Sequence, residues 1–220
     1  MGKLIVLEVT DGSGKATQTA ALQDRLRREG VDCRKIEFPR YQEESSALIR
    51  EYLRGDFGEK PSDVNAFAAS TFYAVDRYAS YQQDWGGYYR QGGLVIADRY
   101  TTSNAVHQGS KLQGKERTDF FEWLFDYEYR LLGLPKPDLV IYLDVPVDQT
   151  EQNMHRREIQ IGASADIHER DDGYLRACRV AAGEAAERFG WTKIACTKNG
   201  VMRSIDEIHE DVYRAVKEVL

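Results

Sequence analysis

The stretch Leu4-Ile5-Val6-Leu7-Glu8-Val9-Thr10-Asp11-Gly12-Ser13-Gly14-Lys15-Ala16-Thr17-Gln18, running on to Leu26, decides how the rest of the chain is read. It opens with an apolar run too short to cross a membrane and suited to a strand buried on both faces of a parallel sheet. A polar turn with two glycines comes next, and glycine admits backbone conformations closed to other residues. A helical pattern begins immediately after, so the helix's unpaired N–H groups and positive dipole end face the turn. Strand, turn and helix together form a cradle for phosphate, and Lys15 adds a mobile positive charge. The plainer alternative is a strand–turn–helix that carries Gly-Lys without a ligand.

Compared with the phosphate-loop pattern G-x-x-x-x-G-K-[ST], Gly14-Lys15 fits. Val9 stands at the first glycine, and Ala16 stands where a magnesium-binding hydroxyl is expected.

At 220 residues the chain is expected to form one α/β domain spanning residues 1–220. Its net charge of −6 argues against a general nucleic-acid binder, so any anion site must be a local gathering of Arg and Lys. Cys33, Cys178 and Cys196 are far apart and form no CxxC pair, which predicts reduced thiols in a cytoplasmic protein. Neither a signal peptide nor a membrane partner is expected, and the four scattered histidines have no metal-site spacing.

Beyond Gly30, Cys33 to Phe38 reads as a second strand, and Pro39 presents Arg40 at its end. Glu43 to Leu53 reads as a helix closed by Gly55. A long helix comes next, with Ser62 as its expected N-cap. Val64, Phe67, Ala68, Thr71, Phe72, Val75, Tyr78 and Ala79 form its apolar stripe. Tyr73 and Arg77 fall on the opposite face among Ala66, Ala69, Ser70 and Ser80, which leaves room for a flat group against the ring. A surface Tyr–Arg stack that covers nothing fits the same spacing.

Leu94 to Ala97 is a third strand, stopped by Asp98-Arg99-Tyr100. A helical turn from Thr101 carries Asn104, His107 and Gln108, polar groups able to read a base edge or to be solvated. Thr118 is the expected cap of a packing helix through Phe120, Phe121, Leu124, Tyr127 and Leu131. The fourth strand is Leu139 to Leu143 and the fifth Trp191 to Cys196, after an Ala-rich helix from Tyr174 to Phe189. Between them, residues of about 156–172 read either as a solvated charge run or as a lid that delivers arginines. Ser204 and Glu207 form a capping box for the last helix.

This alternation predicts a five-stranded parallel sheet with helices on both faces. Lys15 with Asp11, Arg40, and Asp98 with Arg99 then collect at the strands' carboxyl ends, where ligands sit in open α/β sheets. Such a site suits two phosphorylated ligands meeting head to head. An acceptor phosphate is already ionised near neutral pH, so transfer needs charge compensation and positioning more than a base.

Taken in order, Asp11-Gly12-Ser13-Gly14-Lys15-Ala16-Thr17-Gln18, Phe38-Pro39-Arg40, Tyr73-x-x-x-Arg77, Asp98-Arg99-Tyr100 and Pro135-Lys136-Pro137-Asp138-Leu139 resemble the thymidylate (dTMP) kinase family. The resemblance implies a P-loop NTPase fold with a lid and ATP-dependent conversion of dTMP to dTDP, with Mg²⁺, in a homodimer. It implies that Lys15 and the backbone of Gly12, Ser13, Gly14, Ala16 and Thr17 hold the ATP phosphates, with Asp11 and Asp98 near the metal. The dTMP phosphate falls to Arg40, beside Phe38, and to Arg99. Thymine falls to Tyr73 as the stacking ring, to Arg77 and to Asn104 in the base-reading turn, which also carries Gln108. Tyr100 would crowd a 2′-hydroxyl. Ser13 supplies no loop arginine, so Arg156, Arg157 or Arg170 of the lid must close on the phosphates. His107 stands where the family commonly has a tyrosine near the deoxyribose. That departure keeps open a kinase acting on another nucleoside monophosphate or a deoxynucleoside, and Ala16 keeps open a catalytically weak nucleotide binder.

Overall fold

The computed structural model describes residues 1–9, 15–146 and 172–220. Asp11, Gly12, Ser13 and Gly14, the lid, and Arg156, Arg157 and Arg170 lie outside the described residues.

Five strands form one parallel sheet: β1 (Lys3–Val9), β2 (Cys33–Glu37), β3 (Leu94–Asp98), β4 (Leu139–Asp144) and β5 (Thr192–Ala195), in the order β2-β3-β1-β4-β5. β1 lies at the centre, with Leu4 opposite Val95 on one side and Ile5 opposite Leu139 on the other. Leu4, Ile5, Val6 and Leu7 are all fully buried, as a strand covered on both faces requires.

Alternation along β1 divides the core. Ile5, Leu7 and Val9 pack with Leu22 and Leu26 of α1 (Lys15–Arg28), and with Ile208, Val212 and Val216 of the C-terminal helix (Ile205–Lys217). Leu4 and Val6 point the other way, into a cluster with Phe38, Trp85, Val95 and Tyr100. Each such side chain contributes about 1.5–3 kcal/mol when fully buried. The capping box forms: Ser204 Oγ accepts from Glu207 N, and the Glu207 carboxylate accepts from Ser204 N. Cys33, Cys178 and Cys196 are buried and form no disulfide among the described residues.

Between the strands run α2 (Ala47–Arg54), α3 (Ala66–Ser80), α4 (Gly86–Arg90), α5 (Thr101–His107), α6 (Gly114–Phe125) and α7 (Asp172–Phe189). Gly55 ends α2 at φ 92°, a left-handed conformation that suits glycine. A π-helical turn, Tyr81–Trp85, separates α3 from α4. A Cβ on Gly86 would lie 2.3 Å from the Tyr81 carbonyl oxygen, so this close approach admits only glycine.

Several local expectations are corrected. Ser62 does not cap α3: Pro61–Asp63 is a 3-10 turn, Val64 is extended, and Asn65 Oδ1 accepts from Ala68 N at 2.8 Å. The apolar stripe of α3 is divided: Phe67, Val75 and Tyr78 are exposed by 42%, 51% and 42%, while Val64 and Phe72 pack against Tyr52 and Ala69. The buried face is Ala66, Ala69, Ser70, Ala74, Asp76, Arg77 and Ser80, where small residues make room for two paired charges. Thr118 does not cap α6, which starts at Gly114, and its hydroxyl bonds back to the Gly114 carbonyl. The helix passes into a π-helical segment, Asp126–Leu131, that leaves Leu131 exposed and Glu128 fully buried. A hairpin of β6 (Thr197–Lys198) and β7 (Val201–Met202), unanticipated in the sequence, precedes α8 (Ile205–Lys217).

Candidate active site

The carboxyl ends of β1, β2 and β3 are neighbours, so the segments leaving these strands meet on one sheet edge. Lys15 opens α1, and Asp98 closes β3. Their side chains meet with Nζ 2.6 Å from Oδ1, both about nine-tenths buried. Burial, then repulsion from Arg99, lowers the Lys15 pKa against the pull of Asp98 and Glu8. The ammonium is thus a desolvated charge held by an acid, able to strengthen contacts to an incoming anion.

Arg99 comes next at φ 68°, an uncommon conformation for a non-glycine residue, which takes its side chain off the strand path. Its Nη1 donates to His107 Nε2 at 2.8 Å, so this nitrogen of the imidazole is the acceptor. Tyr174 OH bonds the His107 carbonyl at 3.0 Å and lies 3.4 Å from Nδ1. Arg99 Nη1 also lies 3.8 Å from Glu8 Oε1. Glu8 is fully buried in β1, where the hydroxyls of Thr102 and Ser103 donate to its carboxylate at 2.8 and 2.7 Å.

Arg40 stands just past the cis Phe38-Pro39 bond. Asp76, fully buried on α3, anchors it: Arg40 N donates to Oδ2 at 2.9 Å and Nε to Oδ1 at 3.0 Å. Nη2 donates to Ser45 Oγ at 2.9 Å, and Ser45 in turn donates to Asp76 at 2.7 Å. Phe38 N donates to Asp98 O at 3.1 Å, which ties the end of β2 to that of β3.

The next residue on α3, Arg77, is only 1% exposed. Its Nε donates to Glu128 Oε2 at 2.6 Å and its Nη2 to Glu128 Oε1. Burial opposes the Arg77 charge, and Glu128 more than offsets it, so the guanidinium's pKa stands raised. Asn104 is buried beside the pair and donates to Ser70 O at 3.2 Å. Tyr73 is half-buried against Tyr52 and Ala69.

Phe38 and Tyr100 are core rings 6.1 Å apart, and the Tyr100 hydroxyl donates to Pro135 O. The fully buried Gln108 amide has no hydrogen-bond partner among the described residues. Ala16 and Thr17 are exposed on the first turn of α1. Lys15 thus pairs with Asp98, and Arg99 with His107 and Glu8, where β1 and β3 end, while Arg40 is tied to α3 through Asp76.

Sequence reasoning missed Glu8, Asp76 and Glu128. An acid inside the apolar run of β1 and one on the small-residue face of α3 were available signals, since a buried charge requires a partner. Glu128 carried none, because the π-helical segment displaces it from the simple helical period.

The strand order, with a lysine opening the helix after the central strand and an acid closing its neighbour, is that of a P-loop NTPase fold. A family model described as thymidylate kinase matches residues 7–212. A thymidylate kinase of Mycobacterium tuberculosis is 32% identical over 190 residues, covering 86% of this chain and 87% of the relative. A probable thymidylate kinase of Pyrococcus abyssi is 29% identical, covering 100% and 98%. Among solved structures, thymidylate kinase from Candida albicans superposes with a TM-score of 0.69 at 21% identity, covering 99% of this chain and 92% of that one, a likeness of fold. The chain belongs to the thymidylate kinase family.

Proposed function

We propose that the protein transfers the γ-phosphoryl group of ATP to dTMP, giving dTDP and ADP. The observation that carries this reading, beside family membership, is the gathering of Lys15, Asp98 and Arg99 at one sheet edge, with Arg40 presented from the adjoining strand. Two anions must be brought together, and fixed cations offset their repulsion. Lys15, at the start of α1, serves the ATP phosphates together with the helix N-terminus. Arg40 and Arg99 hold the dTMP phosphate, the first steadied by Asp76 and the second by His107 and Glu8. Tyr73 offers a ring to the base, and Arg77 and Asn104 offer polar groups to its edge. An arginine at the end of β2, where a nucleoside kinase would need a base, favours a phosphate acceptor.

The carboxylate oxygens of Asp98 are hard donors suited to Mg²⁺, directly or through water. The ion would supply charge neutralisation between the two nucleotides, and Ala16 would bring no hydroxyl to hold it. The outward stripe of α3, Phe67, Val75 and Tyr78, is the surface we assign to a homodimer contact. We place the enzyme in the cytoplasm, consistent with three cysteines that form no disulfide among the described residues; no described helix is long and apolar enough to cross a membrane.

The test is a coupled ADP-release assay with dTMP, dUMP, UMP, CMP, dGMP and thymidine as acceptors. Highest kcat/KM for dTMP is expected. Preference for thymidine would move the acceptor from phosphate to hydroxyl, and turnover of none would leave a nucleotide binder.

A further inference from the structure

Glu128 belongs to no motif, yet it is fully buried and accepts from residues on two other elements. It takes Arg77 Nε at 2.6 Å and Nη2 on its two oxygens, Thr101 Oγ1 at 2.7 Å, and stands 3.5 Å from Asn104 Nδ2. Donor and acceptor chemistry then fixes two directions. With Nε and Nη2 both spent on one carboxylate, Nη1 is the guanidinium nitrogen that Glu128 leaves to another acceptor. The amide of Asn104 lies against the Ser70 carbonyl and Glu128 Oε1, both acceptors, so its NH₂ must face them. Its Oδ1 then points away from those two acceptors.

We propose that Glu128 is a specificity-determining positioning residue. By fixing Arg77 and biasing Asn104, it sets a donor beside an acceptor, the order that complements the O4 and N3–H of a 4-oxo pyrimidine. A 4-amino pyrimidine presents the reverse order, a donor at N4 and an acceptor at N3, and meets like against like. The inference rests on the reading of Arg77 and Asn104 as the base site. Glu128 itself touches no substrate, and its carboxylate keeps the guanidinium's charge compensated whether or not a base is bound.

The test compares kcat/KM for dTMP and dCMP in the wild type, Glu128→Gln and Glu128→Asp, with the KM for ATP measured alongside. Glutamine gives Arg77 one acceptor and one repelling donor, so the guanidinium loses its fixed direction. The dTMP:dCMP ratio is expected to fall roughly ten- to hundred-fold, with the KM for ATP unchanged. Aspartate keeps the charge but withdraws it by one methylene, and a smaller fall is expected. Equal loss on both nucleotides at an unchanged ratio would overturn the proposal and leave Glu128 a structural residue. Should Glu128→Gln fail to fold, Glu128→Asp decides: a reduced ratio supports the proposal and a wild-type ratio overturns it. The wild-type arm separately tests the dTMP reading, since an enzyme that ignores dTMP fails there before any variant is compared.

Discussion

Replacing Lys111 by methionine is expected to stabilise the protein, and to do so in a pH-dependent way. Lys111 closes the 3-10 turn Gly109–Lys111, and its Nζ donates to Val64 O at 2.8 Å and to Tyr52 OH at 3.1 Å. The ammonium also lies 5.2 Å from the centre of the Tyr52 ring. No carboxylate pairs with it among the described residues, and burial lowers its pKa from 10.5 to about 7. The folded state therefore disfavours the charged form that the unfolded chain holds up to about pH 10. Each pH unit of depression corresponds to about 1.4 kcal/mol, so carrying the proton costs the fold on the order of several kcal/mol. The penalty is fully present below about pH 7. Between there and pH 10.5 the unfolded chain binds a proton that the folded chain does not, so stability gained from this group rises with pH. Methionine removes the penalty and fills similar volume, but it takes the donor from the Val64 carbonyl, at about 1–3 kcal/mol. A net gain of roughly 2 kcal/mol is expected at pH 6, shrinking and then reversing as pH approaches 10. Urea midpoints of both proteins at pH 6, 8 and 9.5 measure this. A gain of constant size across that range, or a loss at pH 6, refutes the reasoning.

Three further outcomes concern the site. Asp76→Asn should raise the KM for dTMP about ten-fold or more while leaving that for ATP in place, because Arg40 loses its ionic anchor and keeps its charge; steady-state kinetics with each substrate varied in turn checks it. Arg99→Ala should cut turnover by orders of magnitude with ATP binding nearly intact, measured by calorimetric titration of ATP beside the coupled assay; unchanged turnover removes Arg99 from the site. Tyr73→Ala should raise the KM for dTMP more than that for ATP, and equal effects on the two would end its role as a base-stacking ring.

Much of the architecture is dictated by residue order alone. An apolar run such as Leu4 to Leu7 can be satisfied only by burial on both faces, and strands separated by helices join in parallel. Wherever a strand ended in charge, as at Asp98-Arg99, the sheet carried that charge to a common edge. Gly55 and the Ser204–Glu207 box marked helix ends because their signals are local. The direction in which α3 faces was not legible. Its stripe of large apolar side chains did not say which face is buried. The inner face is built of small residues around Asp76 and Arg77, and Phe67, Val75 and Tyr78 turn outward.

The chain's order of residues determined the sheet, the cations at its edge and the family, because periodicity and motif spacing act between near neighbours. Tertiary structure decided which acid holds which cation: Glu8 with Arg99, Asp76 with Arg40, and Glu128 with Arg77 across 51 residues. Such pairs form where distant segments exclude water together, and the cost of a lone buried charge selects the partner only once the fold has closed around it.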